Sequence, residues 1–342
     1  MNDLPTLGGR YQLVGLVGSE ATADHYRALD LPSGALVAVK VLREELTHGP
    51  QFRRKFLTET QALARLSHPN LVSLLDFGIE GSWCFLVLEL VEGVDLKRHL
   101  FQQGQLSVNE SLSIARQISA GLGLAHSAGL VHGDVRPHNV LLAASGLAKL
   151  ADLGVARLFS SRDHLPQDEL WATPQYFSPE QAAGEDPSPS SDVYSLGVVL
   201  FEMLAGRLPF RGQDLRDLTL EELIHAPPSL GALVPSSPRS VEAVLDRMLE
   251  KNPQDRYRDG NEAAAALSVL APDLGVEPLP ATTARAAGPT GDARPEKSLM
   301  AKCGEGRIDW KAVGLGFLAL VAVGGLFPLW VWVYLVYHPP AP

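Results

Sequence analysis

Two carboxylates and an amide lie at a spacing that could hold a metal-bound nucleotide. Asp134 and Asn139 belong to the segment HGDVRPHN, which precedes the apolar run VLL, and Asp152 follows the strand-like segment LAKLA. Mg²⁺ takes hard oxygen ligands and keeps several waters, so few protein side chains suffice to hold it. A carboxylate that does not bind the metal can orient an attacking hydroxyl. An aspartate in a turn is more often an Asx-turn or a helix cap, but the joint spacing favours chemistry.

A lysine and a glutamate further upstream could complete such a site. Lys40 ends the tetrapeptide VAVK on a predicted strand, and Glu59 lies in the predicted helix FLTETQALARL. A strand lysine that pairs with a helix glutamate can hold anionic phosphate oxygens. Taken alone, both residues would be interpreted as solvated surface charges, and the downstream motifs favour the paired interpretation.

The pattern around these residues predicts an α+β chain of two lobes. Strand-like segments come first, at YQLVGLVG, HYRAL, ALVAVKVL, LVSLLDFG and WCFLVLEL, with a helix predicted at residues 51–66. Helical patterns dominate from Ser107 onward, in SVNESLSIARQISAGLGLAHSAG, DVYSLGVVLFEMLAG and SVEAVLDRMLE. A strand-rich lobe at about 11–92 therefore precedes a helix-rich lobe at about 93–271.

These motifs, in this order, resemble the eukaryotic-type (Hanks-type) serine/threonine protein kinases of bacteria over residues 11–270. VAVK, HGDVRPHN and DLG stand where that family has VAIK, HRDxxxxN and DFG, and SPE stands in place of APE. The segment DVYSLG, which begins at Asp192, resembles the helix whose aspartate braces the catalytic loop. Arg256 resembles the ion-pair partner of Glu180. The resemblance implies the bilobal protein-kinase fold.

The resemblance also implies roles for individual residues in the phosphorylation of protein serine or threonine by ATP and Mg²⁺. The corresponding catalytic residues are Lys40, Glu59, Asp134 and Arg136, and the corresponding Mg²⁺ ligands are Asn139 and Asp152. The corresponding nucleotide-binding residues are Gly18, His25, Ala38, Lys40, Glu89, Val91 and Leu141, with Leu88 as gatekeeper. Thr173 matches the threonine that lies near the protein substrate in that family, and the substrate protein itself is not identified.

The phosphate-covering loop departs from the family pattern G-x-G-x-x-G-x-V. Only Gly18 remains, because Glu20, Ala23 and His25 occupy the other positions. Glycine lets the backbone approach phosphates closely, whereas Glu20 and Asp24 add negative charge near a triphosphate. We expect these changes to weaken nucleotide binding by about tenfold or more and to slow transfer without abolishing it.

Two alternatives to an active protein kinase stay open. The altered loop is compatible with a pseudokinase scaffold, as is Gly133, which replaces the arginine that anchors a phosphorylated activation loop in the family. The sequence His-Gly-Asp also occurs in aminoglycoside-phosphotransferase-like enzymes, which act on small molecules. The segments SPE and DVYSLG, together with Arg256, favour a protein kinase over that second alternative.

The C-terminal part of the sequence predicts a membrane anchor. Residues 313–337, VGLGFLALVAVGGLFPLWVWVYLVY, contain no charged side chain and exceed the about 20 residues that span a bilayer. Basic residues precede the segment, so the positive-inside rule predicts a cytoplasmic kinase domain on a single-pass protein of the cell (inner) membrane. The expected organisation is a kinase domain at 11–271, a linker at 272–311, a transmembrane helix in the lipid bilayer at 312–337 and a tail at 338–342.

The overall charge argues against nucleic acid as the main partner, and the cysteine content argues against a disulfide framework or a zinc site. The 342 residues carry a formal net charge of −10, so nucleic acid is not an expected partner, because phosphate backbones are bound by clustered Lys and Arg. Cys84 and Cys303 are too few and too far apart to indicate a disulfide framework or a zinc site.

Overall fold

The first lobe is built on an antiparallel sheet. In the computed structural model, which describes residues 4–47, 49–155, 158, 174–210 and 225–270, its strands lie in the order β1-β2-β3-β4-β6-β5. Their bounds are β1 Thr6–Leu7, β2 Tyr11–Ser19, β3 Ala23–Asp30, β4 Leu36–Leu42, β5 Leu74–Glu80 and β6 Trp83–Glu89. Successive strand side chains point to opposite faces, and both faces of β4 are covered, because Val39 and Lys40 are each 1% exposed.

Helix α1, Pro50–Leu63, packs one face against this lobe. Pro50 stands in the first turn, where its fixed φ favours helix initiation. The buried residues Phe56, Thr60 and Leu63 follow one another at intervals of four and three, so they lie on one side of the helix. Phe56 belongs to an apolar cluster that includes residues of β4 and β6.

A short second sheet follows the first lobe in the chain. Its strands pair in the order β7-β8-β9, with bounds β7 Gly93–Asp95, β8 Val140–Ala143 and β9 Ala148–Leu150. Asp95 caps helix α2, Leu96–Gln103, by accepting a hydrogen bond from the N–H of Arg98 at 2.8 Å. Strands β8 and β9 carry the chain from the segment around Asp134 to Asp152.

The second lobe is helical. Its described α-helices are α3 Val108–Ser127, α4 Pro179–Ala182, α5 Pro189–Ala205, α6 Leu230–Leu233, α7 Arg239–Met248 and α8 Gly260–Leu270. Helix α3 begins after Ser107, whose Oγ accepts the N–H of Glu110 at 3.2 Å. Residues 190–204 of α5 are all buried, so this helix forms the centre of the lobe's apolar core together with α3, α7 and α8.

The described elements confirm the predicted bilobal α+β architecture. The strand predicted from residue 71 begins at Leu74, because Leu71 forms only an isolated parallel bridge with Leu150. Within the residues that the structure describes, no helix combines the length and the apolar character needed to cross a bilayer. The predicted linker, the membrane segment 312–337 and Thr173 lie outside those residues.

Candidate active site

A buried aspartate holds the segment around Asp134, which we call the catalytic loop (residues 132–139). Asp192, near the start of α5, accepts hydrogen bonds from the backbone N–H groups of His132 and Gly133, both at 2.7 Å. His132 Nε2 donates to the carbonyl of Ala151 at 2.7 Å, so its Nδ1 accepts the N–H of Asp134 at 3.1 Å. The bracing role predicted for Asp192 is therefore confirmed, and the loop is fixed through its backbone.

Asp134 and Asn139 are in direct contact inside the catalytic loop. Asn139 Nδ2 donates to the backbone oxygen of Asp134 at 2.8 Å and to its Oδ2 at 3.0 Å. Because the amide nitrogen makes both bonds, Asn139 Oδ1 is the atom that can bind a cation. Burial raises the pKa of Asp134, although Arg136, whose Nε lies 3.3 Å from Asp134 Oδ2, opposes this. A raised pKa suits a carboxylate that must accept a proton.

Asp152 joins this loop to Lys40. The N–H of Ala151 donates to the carbonyl of Asn139 at 2.8 Å, which places Asp152 beside the loop. Lys40 Nζ lies 2.9 Å from Asp152 Oδ2. Burial alone would raise the pKa of Asp152, but Lys40 and then His25 hold it below its usual value. The backbone φ angle of Asp152 is 61°. This is a left-handed conformation, which residues other than glycine adopt mainly at constrained sites.

The ion pairs described for Lys40 are with carboxylates other than that of Glu59, its predicted partner. Among the described residues, the carboxylates paired with Lys40 belong to Asp152, at 2.9 Å, and to Glu20, at 3.7 Å. Lys40 is 1% exposed, so its ammonium needs anionic partners inside the protein. The role predicted for Glu59 stays a prediction.

The segment after Asp152 contacts the inner face of α1, the helix that carries Glu59. Val155 and Leu158 belong to the apolar cluster of Phe56 together with residues of β4 and β6. A cavity of about 30 Å³ beside it is lined by leucines of α1 and β6, including Leu88, and by Asp152. The segment that follows Asp152 therefore packs against the helix that carries Glu59.

The strand pairing around the phosphate-covering loop places His25 beside Lys40 and Gly18 beside His25. His25 lies opposite Lys40 in the register of β3 with β4, and opposite Gly18 in the register of β2 with β3. Glu20 Oε2 lies 3.4 Å from His25 Nε2. His25 lowers the pKa of Glu20 most, burial opposes this, and Lys40 lowers it further. The sequence indicated that Glu20 lies near the nucleotide, but it did not indicate that Glu20 pairs with Lys40.

The sequence predicts that Asp24 adds negative charge next to the phosphates, whereas the structure pairs its carboxylate with a cation. Its Oδ1 accepts a hydrogen bond from Ser19 Oγ at 2.6 Å and lies 3.4 Å from Arg43 Nη2. The negative charge of Asp24 is therefore offset by Arg43, a cation that belongs to none of the sequence motifs. The signal for Arg43 was weak, because a lone arginine after a strand is usually a solvated surface residue.

The residues predicted to contact adenine lie on elements of both sheets and on the connection between them. They are Ala38 on β4, Leu141 on β8, Glu89 at the end of β6 and Val91 after it. Ala38 lies opposite the predicted gatekeeper Leu88 in the β4–β6 register. The Glu89 side chain accepts hydrogen bonds from Ser73 N–H at 2.9 Å and from Lys149 Nζ at 2.6 Å. The Glu89 carboxylate is therefore engaged by contacts within the protein.

The predicted ion pair between Glu180 and Arg256 is confirmed. Arg256 donates Nη1 to Glu180 Oε1 at 2.7 Å and Nη2 to Oε2 at 2.8 Å, which is a bidentate arrangement. Ser191 Oγ also donates to Glu180 Oε1 at 2.6 Å. Arg256 is 1% exposed, so the pair links α4 to the chain before α8 inside the second lobe.

The residues present fit a divalent metal ion and a nucleotide. Asn139 Oδ1 and the Asp152 carboxylate are hard oxygen donors on adjacent backbone segments, and Lys40 supplies the cation that phosphate oxygens need. A strand-rich lobe, a helical lobe and this set of side chains define the class of protein kinases.

Comparison with known proteins agrees with that class. The chain belongs to the protein kinase family, because the protein kinase domain matches residues 11–267. It is 37% identical over 296 residues to the serine/threonine-protein kinase PknA of Mycobacterium tuberculosis, covering 84% of this chain and 68% of that protein. It is also 37% identical to PrkC of Bacillus subtilis over 259 residues, covering 76% of this chain and 40% of that protein.

A solved structure gives the same assignment. The PknI kinase domain of Mycobacterium tuberculosis superposes with a TM-score of 0.63 at 28% identity, covering 79% of this chain and 98% of that chain. The resemblance to the bacterial Hanks-type serine/threonine kinases is thus confirmed. Members of this family use ATP together with a divalent metal ion.

Proposed function

We propose that this chain transfers the γ-phosphoryl group of ATP to serine or threonine residues of a protein substrate. The observation that carries the proposal is the chain of contacts from Lys40 through Asp152 to Asn139 and Asp134. Residues far apart in the sequence thereby supply one cation, two metal-binding oxygens and one separate carboxylate, which are the parts that phosphoryl transfer needs.

Each of these side chains has one task in the proposed reaction. Lys40 holds phosphate oxygens of ATP, and Asn139 and Asp152 hold Mg²⁺, which neutralises charge on the phosphates when bound. Asp134 orients the substrate hydroxyl and accepts its proton, a task that its raised pKa favours. Arg136 is close enough to Asp134 to place a positive charge beside the transferred group.

The remaining predicted residues bind the nucleotide or, in the case of Glu59, pair with Lys40. Gly18, His25, Ala38, Glu89, Val91 and Leu141 are the proposed nucleotide contacts. Pairing of Lys40 with Glu59 would complete the active arrangement, and the three N–H donors of the ammonium allow it beside the contact with Asp152. Catalysis of this kind depends mostly on positioning and charge neutralisation, so an altered phosphate-covering loop slows transfer rather than preventing it.

The test is a transfer assay with γ-phosphate-labelled ATP, Mg²⁺ and a generic protein acceptor, followed by phosphoamino-acid analysis. We expect label on serine or threonine, with a loss of at least about hundredfold in Asp134→Asn, because that variant removes the proton acceptor. A wild-type rate indistinguishable from that of Asp134→Asn would contradict the proposal.

A specific observation favours a second candidate, the pseudokinase scaffold. Glu20 lies 3.7 Å from Lys40 Nζ, where it competes with phosphates. Binding of Mg-ATP without any transfer in the same assay would support this candidate. Phosphorylation of a small molecule is less well supported, because the Glu180–Arg256 pair and the Asp192 contacts are protein-kinase features.

We also propose that a transmembrane helix at 312–337 anchors a cytoplasmic kinase domain at 11–271 to the cell membrane. The uncharged segment 313–337 and the basic residues before it support this assignment. Deletion of residues 310–342 should move the protein from the membrane pellet to the supernatant. Deletion of 275–305 is the control and should leave it in the pellet. Retention of the first variant in the pellet would contradict the anchor.

A further inference from the structure

Arg43 holds the tip of the phosphate-covering loop. Its Nε donates to the carbonyl of Glu20 and its Nη2 to Ser19 Oγ, both at 2.8 Å. Its backbone N–H donates to Thr22 O at 2.9 Å, and the N–H of Glu20 donates to Ala23 O at 2.8 Å. The loop is therefore held by hydrogen bonds of its own backbone and of Arg43.

This anchoring brings the Glu20 carboxylate to Lys40. Glu20 Oε2 lies 3.7 Å from Lys40 Nζ, and Asp152 lies on the same ammonium at 2.9 Å. The Lys40 side chain is only 2% exposed, so carboxylates of the protein take the place of water around its charge. His25 Nε2 lies 3.4 Å from Glu20 Oε2, so the imidazole is a further neighbour of this carboxylate.

We propose that Glu20 is a determinant of nucleotide affinity, because its carboxylate occupies a position beside Lys40 that a phosphate oxygen of ATP would take. The inference rests on the proposed function, in which Lys40 holds the phosphates. A carboxylate and a phosphate are both anionic acceptors, so they compete for one ammonium. ATP binding requires the Glu20 carboxylate to leave Lys40, whereas adenosine, which has no phosphate, requires no such displacement.

The exposure of Glu20 limits the size of this effect. Its side chain is 42% exposed, so water and salt screen the contact with Lys40. The competition therefore weakens ATP binding by about tenfold and does not block it. Asp24, the other acidic residue of the loop, is paired with Arg43 and does not take part.

The test compares the dissociation constants of ATP and adenosine for the full-length chain in mild detergent with excess Mg²⁺, by titration calorimetry. Glu20→Gln removes the charge and keeps the size of the side chain. Glu45→Gln is the matched control, because Glu45 is an exposed residue in the short 3₁₀ helix after β4. We expect Glu20→Gln to bind ATP about tenfold more tightly and adenosine as the wild type does. Glu45→Gln should resemble the wild type for both ligands.

Three results would overturn the inference. One is an ATP affinity of Glu20→Gln equal to that of Glu45→Gln. Another is an equal gain for ATP and adenosine, because Glu20 would then act on the nucleoside part of the site. The third is the absence of ATP binding in every variant. The proposed function is tested separately: a chain with the expected Glu20 dependence of ATP binding but no phosphoryl transfer retains this inference and loses the kinase activity.

Discussion

The pKa values of Asp134 and Asp152 are shifted in opposite directions, although both residues lie in the same site. Burial raises the pKa of Asp134, so its ionised form costs stability at neutral pH. Lys40 helps to lower the pKa of Asp152 against the effect of burial, so the ionised form of Asp152 adds stability at neutral pH. The ionised carboxylate of Asp134 therefore lowers the stability of the fold, whereas that of Asp152 raises it.

This contrast predicts opposite effects of two similar substitutions on the melting temperature. Asp134→Asn should leave the Tm unchanged or raise it, because it removes a partly uncompensated charge. Asp152→Asn should lower the Tm, because Lys40 loses its partner at 2.9 Å. Thermal unfolding followed by circular dichroism at pH 7 measures both. A lower Tm for Asp134→Asn than for Asp152→Asn would contradict this interpretation.

We expect the Glu180–Arg256 pair to stabilise the folded chain and to make its unfolding free energy depend on pH. Glu180→Gln should cost about 3–5 kcal/mol of unfolding free energy, because it leaves a buried guanidinium without its counter-ion. Burial would raise the pKa of Glu180, but Arg256 and Ser191 hold it below the ordinary 4.5. The wild type therefore has this stabilisation above about pH 4.5 and loses it as the pH falls through the lower folded pKa.

Chemical denaturation at a series of pH values measures this dependence. Arg256→Lys serves as a companion variant, because it keeps the charge and loses the bidentate geometry; it should fall between wild type and Glu180→Gln. Identical acid profiles for the wild type and Glu180→Gln would show that the pair is not the source of the pH dependence.

At the scale of elements, α3 and α8 pack closely enough that glycine is required. A Cβ on Gly260 would lie 2.4 Å from Gly123 N and 2.6 Å from Ser119 O, which are backbone atoms that cannot move aside. Gly260→Ala should therefore destabilise the protein by about 1–3 kcal/mol through overpacking. Gly15→Ala is the control, because nothing lies within 4 Å of a Cβ there. Equal denaturation midpoints for the two variants would contradict this packing account.

Some features of these elements could be predicted from the sequence, and others could not. The order of strands and helices could be predicted from local periodicity, and the resemblance to the protein kinase family implied the bracing by Asp192 and the Glu180–Arg256 pair. The partner of Lys40 could not be predicted, because it depends on where α1 packs and on where Arg43 holds the loop. Such placements are set by tertiary contacts of side chains that carry no distinctive motif, as with Val155 and Leu158.

At the scale of the whole molecule, the site draws its residues from both lobes. Lys40 comes from the strand-rich lobe, and Asp134 and Asn139 come from the loop that follows α3. A ligand that contacts both sets binds the folded chain and not the unfolded one, so it stabilises the fold by mass action. Thermal stability in the presence of ligand is therefore a direct measure of whether these residues form one site.

The decisive measurement is the Tm of the full-length chain with ATP, in the presence of Mg²⁺ or of a chelator. We predict a higher Tm with Mg-ATP than with ATP and chelator for the wild type, because Asn139 and Asp152 bind the metal that bridges to the phosphates. For Asp152→Asn, the increase in Tm on adding ATP, measured from the ligand-free Tm of the same variant, should no longer depend on Mg²⁺. An Mg-independent Tm in the wild type, or an undiminished Mg²⁺ effect in Asp152→Asn, would contradict a metal–nucleotide site at these residues.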